Sequence, residues 1–218
     1  ALGLVALTAA SLSATAGGAV TDSGTLAIAG ATTISASGQD ITLDQAASTF
    51  GTLALTGANV AVTDAGAVDL GASTVSGTLG ITSAGAVTDS GTLAITGATT
   101  ISASGQDITL DESASTFGTL ALTGVNVAVT DAGATDLGAS TVSGTLGITS
   151  AGAVTDSGTL AVTGATTISA SGQDITLDES ASTFGTLALT GANVAVTDAG
   201  AVDLGASTVG GTLGITSA

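Results

Sequence analysis

The sequence predicts an all-β chain wound as a parallel β-helix, a solenoid of short stacked strands. Three observations lead there: a long repeat without linkers, period-two alternation inside it, and a core built from Ala, Val, Leu and Ile with only three Phe. The run Gly18-Ala19-Val20-Thr21-Asp22-Ser23-Gly24 returns at Gly85 and at Gly152, the same interval both times. Repeats of this kind are supersecondary units that bury their apolar faces only against one another. A spherical core would use larger side chains, whereas a narrow core repeated along an axis does not need them.

The units run from 18 to 84, 85 to 151 and 152 to 218 as one continuous solenoid. The first two differ only at Ala29/Thr96, Gln45/Glu112, Ala46/Ser113, Ala58/Val125 and Val68/Thr135, so turns are kept as closely as strands. The opening segment, residues 1–17, aligns with the end of a unit and is expected to be a diverged partial repeat, which would make the chain a stretch of something longer.

Strand signals are dense. Thr25-Leu26-Ala27-Ile28, Thr52-Leu53-Ala54-Leu55-Thr56, Asn59-Val60-Ala61-Val62-Thr63 and Thr78-Leu79-Gly80-Ile81-Thr82 alternate small or polar with large apolar residues. That pattern marks strands with one buried face. Gly, Ser, Asn and Asp punctuate them as turn formers. Leu26, Ile28, Ile41, Leu43, Leu53, Leu55, Val60, Val62, Leu70, Leu79 and Ile81 are expected to point inward, as are their counterparts in later units. Phe50, Phe117 and Phe184 are expected to fill one wider spot per unit. Strands ending in Asp at Asp22, Asp44, Asp64 and Asp89 suggest about three coils per unit, unequal in length, each with three short strands.

Composition narrows function. The chain has no Lys, Arg, His, Pro, Cys, Met, Trp or Tyr, and 17 acids give a formal charge of −17. The usual catalytic bases, thiols and cationic clamps are missing, so no enzyme is expected. Phosphate neutralisation and base stacking are equally unsupplied, which argues against a nucleic-acid partner. No apolar run is long enough for a membrane helix, and three Phe cannot form the aromatic girdles of a membrane barrel, so no membrane insertion is expected.

The acids are the one group with chemical content. Asp22, Asp44, Asp64, Asp89, Asp111, Asp131, Asp156, Asp178 and Asp198 share the strand-end position. If the three-coil frame holds, they stack as a ladder along one edge. Either each closes a local turn through backbone bonds, or Ca²⁺ bridges successive rungs as a weak metal ladder. The turn reading is the simpler one, and no other cofactor is expected. Outward Thr and Ala, as at Thr92, Ala94 and Thr96, suggest an ice-binding face as a lesser alternative, although unequal coils would not keep every row in register.

The segments Gly38-Gln39-Asp40-Ile41-Thr42-Leu43-Asp44, Phe50-Gly51-Thr52-Leu53 and Asp69-Leu70-Gly71-Ala72-Ser73-Thr74-Val75-Ser76-Gly77 resemble the arrays of large β-strand-repeat exoproteins similar to filamentous haemagglutinin, the adhesins of bacterial two-partner secretion. The resemblance implies a right-handed parallel β-helix, export from a bacterium, and a place at the cell surface or outside the cell. It implies a stalk that extends a fibre or adhesin, and it carries over no binding residues. A calcium-dependent surface-layer or biofilm matrix protein is the alternative. The expected partners are further copies of the chain, end to end or laterally in a filament, and a host, neighbour-cell or matrix surface.

Overall fold

The computed structural model describes residues 1–218 and contains 31 strands and no helix. Every strand pairing is parallel, and the chain winds through about 11 turns of roughly 19 residues. Two long sheets form the opposite faces of the rod. Along the first, Val20 pairs with Ile41, Ile41 with Val60 and Val60 with Leu79. Along the second, Val68 pairs with Val87, Val87 with Ile108 and Ile108 with Val127. The steps between these partners are unequal along the chain. Turns absorb the difference while the strands stay in register.

The expected number of about three coils per unit comes out not as a whole number but as three and a half, at roughly 19 residues per turn of a ~67-residue unit. Val20 lies in the first long sheet, its counterpart Val87 in the second, and Val154 in the first again. Ile41, Ile108 and Ile175 alternate in the same way. Each unit is therefore turned over relative to the last. The strand ends that suggested three coils are not equivalent positions: the rung that aligns Val20 with Ile41 puts Asp22 two places along with Leu43, not Asp44.

Nor does every coil carry three strands. A third, short stack covers three successive coils and then stops. Leu7–Ala9, Leu26–Ile28 and Thr49–Phe50 form it on the edge leading from the first long sheet to the second. Ser73–Val75, Leu93–Ile95 and Thr116 form the next one on the opposite edge.

The core is the inward alternation made continuous. All eleven apolar positions expected to point inward in the first unit are buried, and so are their counterparts in the second. The Phe residues are 5%, 6% and 7% exposed, one per unit. In the third unit Leu204 and Leu213 are 44% and 45% exposed, while Leu70 and Leu79 are 1% and 2% exposed. These two leucines sit in the last coil, where no further coil covers them. The other large exposed apolar side chains, Val5 and Leu7, are in the first coil.

Two glycine positions are required by geometry. Gly38, Gly105 and Gly172 take φ of 69°, 79° and 76° in the Ser-Gly-Gln turn, a left-handed backbone that side chains disfavour. Gly97 lies directly over Gly77, its N–H donating to the Gly77 carbonyl at 2.9 Å. A Cβ on Gly97 would lie 2.5 Å from that oxygen. Two residues on, Thr99 is 0% exposed and its hydroxyl has no partner, as is true of Thr32 and Thr166.

Substitutions at these two neighbouring positions should act in opposite directions. Gly97→Ala should destabilise by about 2 kcal/mol, because the clash is with backbone of the adjacent coil. Thr99→Val should stabilise by about 1 kcal/mol by removing an unpaired buried hydroxyl at nearly constant volume. Denaturant unfolding of both variants against the parent checks this, and a destabilised Thr99→Val would contradict it.

Candidate functional site

The nine strand-end carboxylates divide into two sets. Asp22, Asp64, Asp89, Asp131, Asp156 and Asp198 are buried, and Asp44, Asp111 and Asp178 are exposed. No two face each other across a rung. Asp22 pairs with Leu4, Asp89 with Leu70 and Asp156 with Leu137. Asp64, Asp131 and Asp198 pair with Ser83, Ser150 and Ser217. The single continuous ladder is therefore not formed. With units turned over alternately, Asp22 and Asp156 belong to one face of the rod and Asp89 to the other. No three acids converge in a geometry that would hold a metal ion.

The buried acids meet backbone. Asp64 Oδ1 accepts from the Gly66 N–H at 2.7 Å and Oδ2 from the Phe50 N–H at 2.9 Å, tying its own turn to the coil before it. Asp22, Asp89 and Asp156 accept from the N–H groups of Asp44, Asp111 and Asp178 at 3.0, 2.8 and 2.8 Å. In the second unit the Thr135 hydroxyl, which replaces the Val68 and Val202 side chains, bonds both Asp131 Oδ2 at 3.3 Å and Ser150 Oγ at 3.0 Å. A carboxylate accepting backbone N–H bonds is a good turn closure, but burial disfavours its charge. Burial pushes Asp64, Asp89, Asp131 and Asp156 above the ordinary Asp value, and the backbone bonds oppose it incompletely. Beside Asp89 and Asp156 the charges of Asp111 with Glu112, and of Asp178 with Glu179, push the same way.

Three further polar sets escaped the sequence reading. At one corner Asp40 Oδ1 accepts from both the backbone N–H and the Nδ2 of Asn59, at 3.1 and 2.9 Å. Asn59 Oδ1 in turn accepts from the backbone and hydroxyl of Thr78, both at 3.1 Å. The equal spacing of Asp40, Asn59 and Thr78 along the chain was the available signal. On a face, Asp69 Oδ2 accepts hydroxyls from Thr52 below and Ser90 above, both at 2.8 Å. Inside, the hydroxyls of Ser48, Ser115 and Ser182 accept from the N–H groups of Leu26, Leu93 and Leu160 at 3.0, 2.9 and 2.9 Å.

Outward hydroxyls also line up better than unequal coils suggested. Thr63, Thr82, Ser102, Thr123 and Thr141 occupy successive rungs of the first long sheet, and the row ends at Ala161. The adjacent column is broken by Ala61, Gly80 and Ala121, so no second hydroxyl rank accompanies it.

A family model described as "Repeats of unknown function (DUF5649)" matches residues 1–56, 57–123, 124–190 and 191–218. The chain belongs to this family. Its internal boundaries at 57, 124 and 191 keep the period of the repeat with a different starting point, as a continuous solenoid permits. Searches of curated proteins and of solved structures return no match.

The buried carboxyls fix the sign of the pH response. Asp titrates near 3.8 in the unfolded chain and higher in the fold at these four positions. Their contribution is complete below about pH 3.8 and is lost as pH rises through the folded values. The melting temperature, followed by circular dichroism, should therefore be higher at pH 4 than at pH 7. A fall on acidification would contradict the assignment.

Proposed function

We propose that this segment is a structural repeat of a secreted bacterial surface fibre or adhesin stalk, extending a rod from the cell, and that it is not an enzyme. The observation that carries the reading is the uninterrupted stacking of closely similar units through one shared core. Length is added at constant stability per unit, since each coil contacts chiefly its neighbours. Leu204 and Leu213 illustrate what an added coil does: the equivalent Leu70 and Leu79 are buried where a coil lies over them. Burying such a side chain stabilises by about 1.5–3 kcal/mol, so coils extend readily, whether from one chain or from stacked copies.

The chemistry supports a passive role. The chain supplies no His, Cys, Lys, Arg or Tyr, and its surface has no pocket. The resemblance to filamentous haemagglutinin-like exoproteins supports a position outside a bacterium, and a host, neighbour-cell or matrix surface is then the rod's distant target. Each buried carboxylate already accepts at least one backbone N–H bond, which favours turn closure over a calcium ladder.

Two measurements test this reading, and a third separates it from its alternative. In small-angle scattering, chains of two, three and four units should lengthen by about 17 Å per unit, three and a half rungs of ~4.8 Å. Growth in girth instead of length would overturn the rod. Immunogold labelling of intact source cells should mark surface fibres, and a wholly internal signal would overturn the stalk assignment. A calcium chelator should leave the melting temperature unchanged, and a drop of several degrees would favour the calcium-dependent matrix protein.

A further inference from the structure

We infer that the number of units, odd or even, sets the side of the rod on which everything beyond them is displayed. The inference rests on the rod reading above and adds an orientational rule to it. It follows from the half-integral repeat. Thr21, Thr88 and Thr155 are the same outward, exposed residue in three successive units. Thr21 lies on the first long sheet, Thr88 on the second and Thr155 on the first. The hydroxyl row Thr63 to Thr141 on the first face is matched by Thr130, Thr149, Ser169, Thr190 and Thr208 on the second.

Nothing in the fold resists a change of unit number. Ala84 joins Gly85 and Ala151 joins Gly152, so removal of residues 85–151 leaves an Ala-Gly junction identical to the native ones. The strands on either side still find their registers, because each unit's sequence already works on both faces. Ile41 stacks between Val20 and Val60 on the first face, and Ile108 between Val87 and Val127 on the second. Loss or gain of one unit therefore keeps the core continuous while rotating the downstream rod by half a turn. Loss or gain of two units restores the original side. The short third stack, which swaps edges from unit to unit, is exchanged along with the faces.

Distances between spin labels test this cleanly, since the chain has no native cysteine. Three double variants of the full chain are needed: Thr21→Cys with Thr88→Cys, Thr88→Cys with Thr155→Cys, and Thr21→Cys with Thr155→Cys. Pulsed electron paramagnetic resonance should place the outer pair about 34 Å apart, seven rungs of ~4.8 Å. Each neighbouring pair should be separated by ~20 Å or more, being ~17 Å apart along the axis and at least ~10 Å across the rod. The two shorter distances then add to clearly more than the long one, a zigzag. Collinear labels, with the long distance equal to the sum, would overturn the inference while leaving the rod intact. An outer distance far from the seven-rung value would overturn the rod as well. In the chain lacking residues 85–151, the pair at Thr21 and Thr155 should give the distance of Thr21 and Thr88 in the full chain. A distance of about 14–19 Å, three or four rungs on one face, would overturn it.

Discussion

The backbone of each coil is left half unsatisfied until another coil lies on it. A strand in a solenoid bonds only to the rung above and the rung below, so every N–H and C=O depends on strict register along the axis, and unpaired buried groups are costly. Register is held by the inward apolar alternation, since a one-residue slip would turn a whole strand's core side chains to solvent. The rows Ile41, Val60 and Leu79 and then Val87, Ile108 and Val127 are the visible form of that constraint. Where the ladder cannot run straight, a side-chain oxygen stands in. Gly71 and Ala72 separate two short strands that both pair with Thr52–Gly57, and the Leu55 N–H left between them donates to Ser73 Oγ at 3.0 Å. Ser48 and Asp64 do the same for Leu26 and Phe50.

The half-integral repeat follows from the likeness of the two faces. Both impose the same demands, namely large aliphatic inside, small or hydroxyl outside, and a neighbour one rung away. A unit therefore need not close on a whole number of coils. In return, its sequence must suit either face. Strands such as Ile41-Thr42-Leu43 are symmetrical enough to do so, and the edge-specific features, the third stack and the glycine contact of Gly77 with Gly97, travel with the unit from one edge to the other.

Fold class, inward residues and the one-Phe-per-unit filling were legible because each depends on local alternation. The extra half coil per unit was not, because it depends on which strand meets which. Val20-Thr21-Asp22, Thr42-Leu43-Asp44 and Val62-Thr63-Asp64 look alike as strings, yet only the inward apolar positions decide the rung, and they set Asp22 in line with Leu43. The acids were located but not sorted. Strand-end position alone does not separate Asp64, which turns in to reach the Phe50 N–H, from Asp44, which stays in solvent. Val68/Thr135 is one of five differences between the first two units, and nothing in the string marks it out. The buried hydroxyl has two polar partners, Asp131 and Ser150, that only the fold brings together.

Charge is the last consequence of the same constraint. A chain with no bases cannot neutralise its buried carboxylates by ion pairs, so the fold relies on N–H dipoles to hold them. Dipoles oppose the burial penalty only in part, which is why Asp64, Asp89, Asp131 and Asp156 are held above the ordinary Asp value. A buried Lys or Arg beside each would relieve the charge, yet would need its own desolvation offset in a core only two side chains thick. Backbone N–H donors are the smaller intrusion. None of the strand-end carboxylates faces another across a rung, which limits the repulsion between them. The nearest like charges, Asp111 with Glu112 beside Asp89 and Asp178 with Glu179 beside Asp156, stand outside the strands. The turn-closing carboxylates and the alternating faces are thus parts of one arrangement, in which a chain with acids and no bases adds coils while dividing its strand-end carboxylates between two faces.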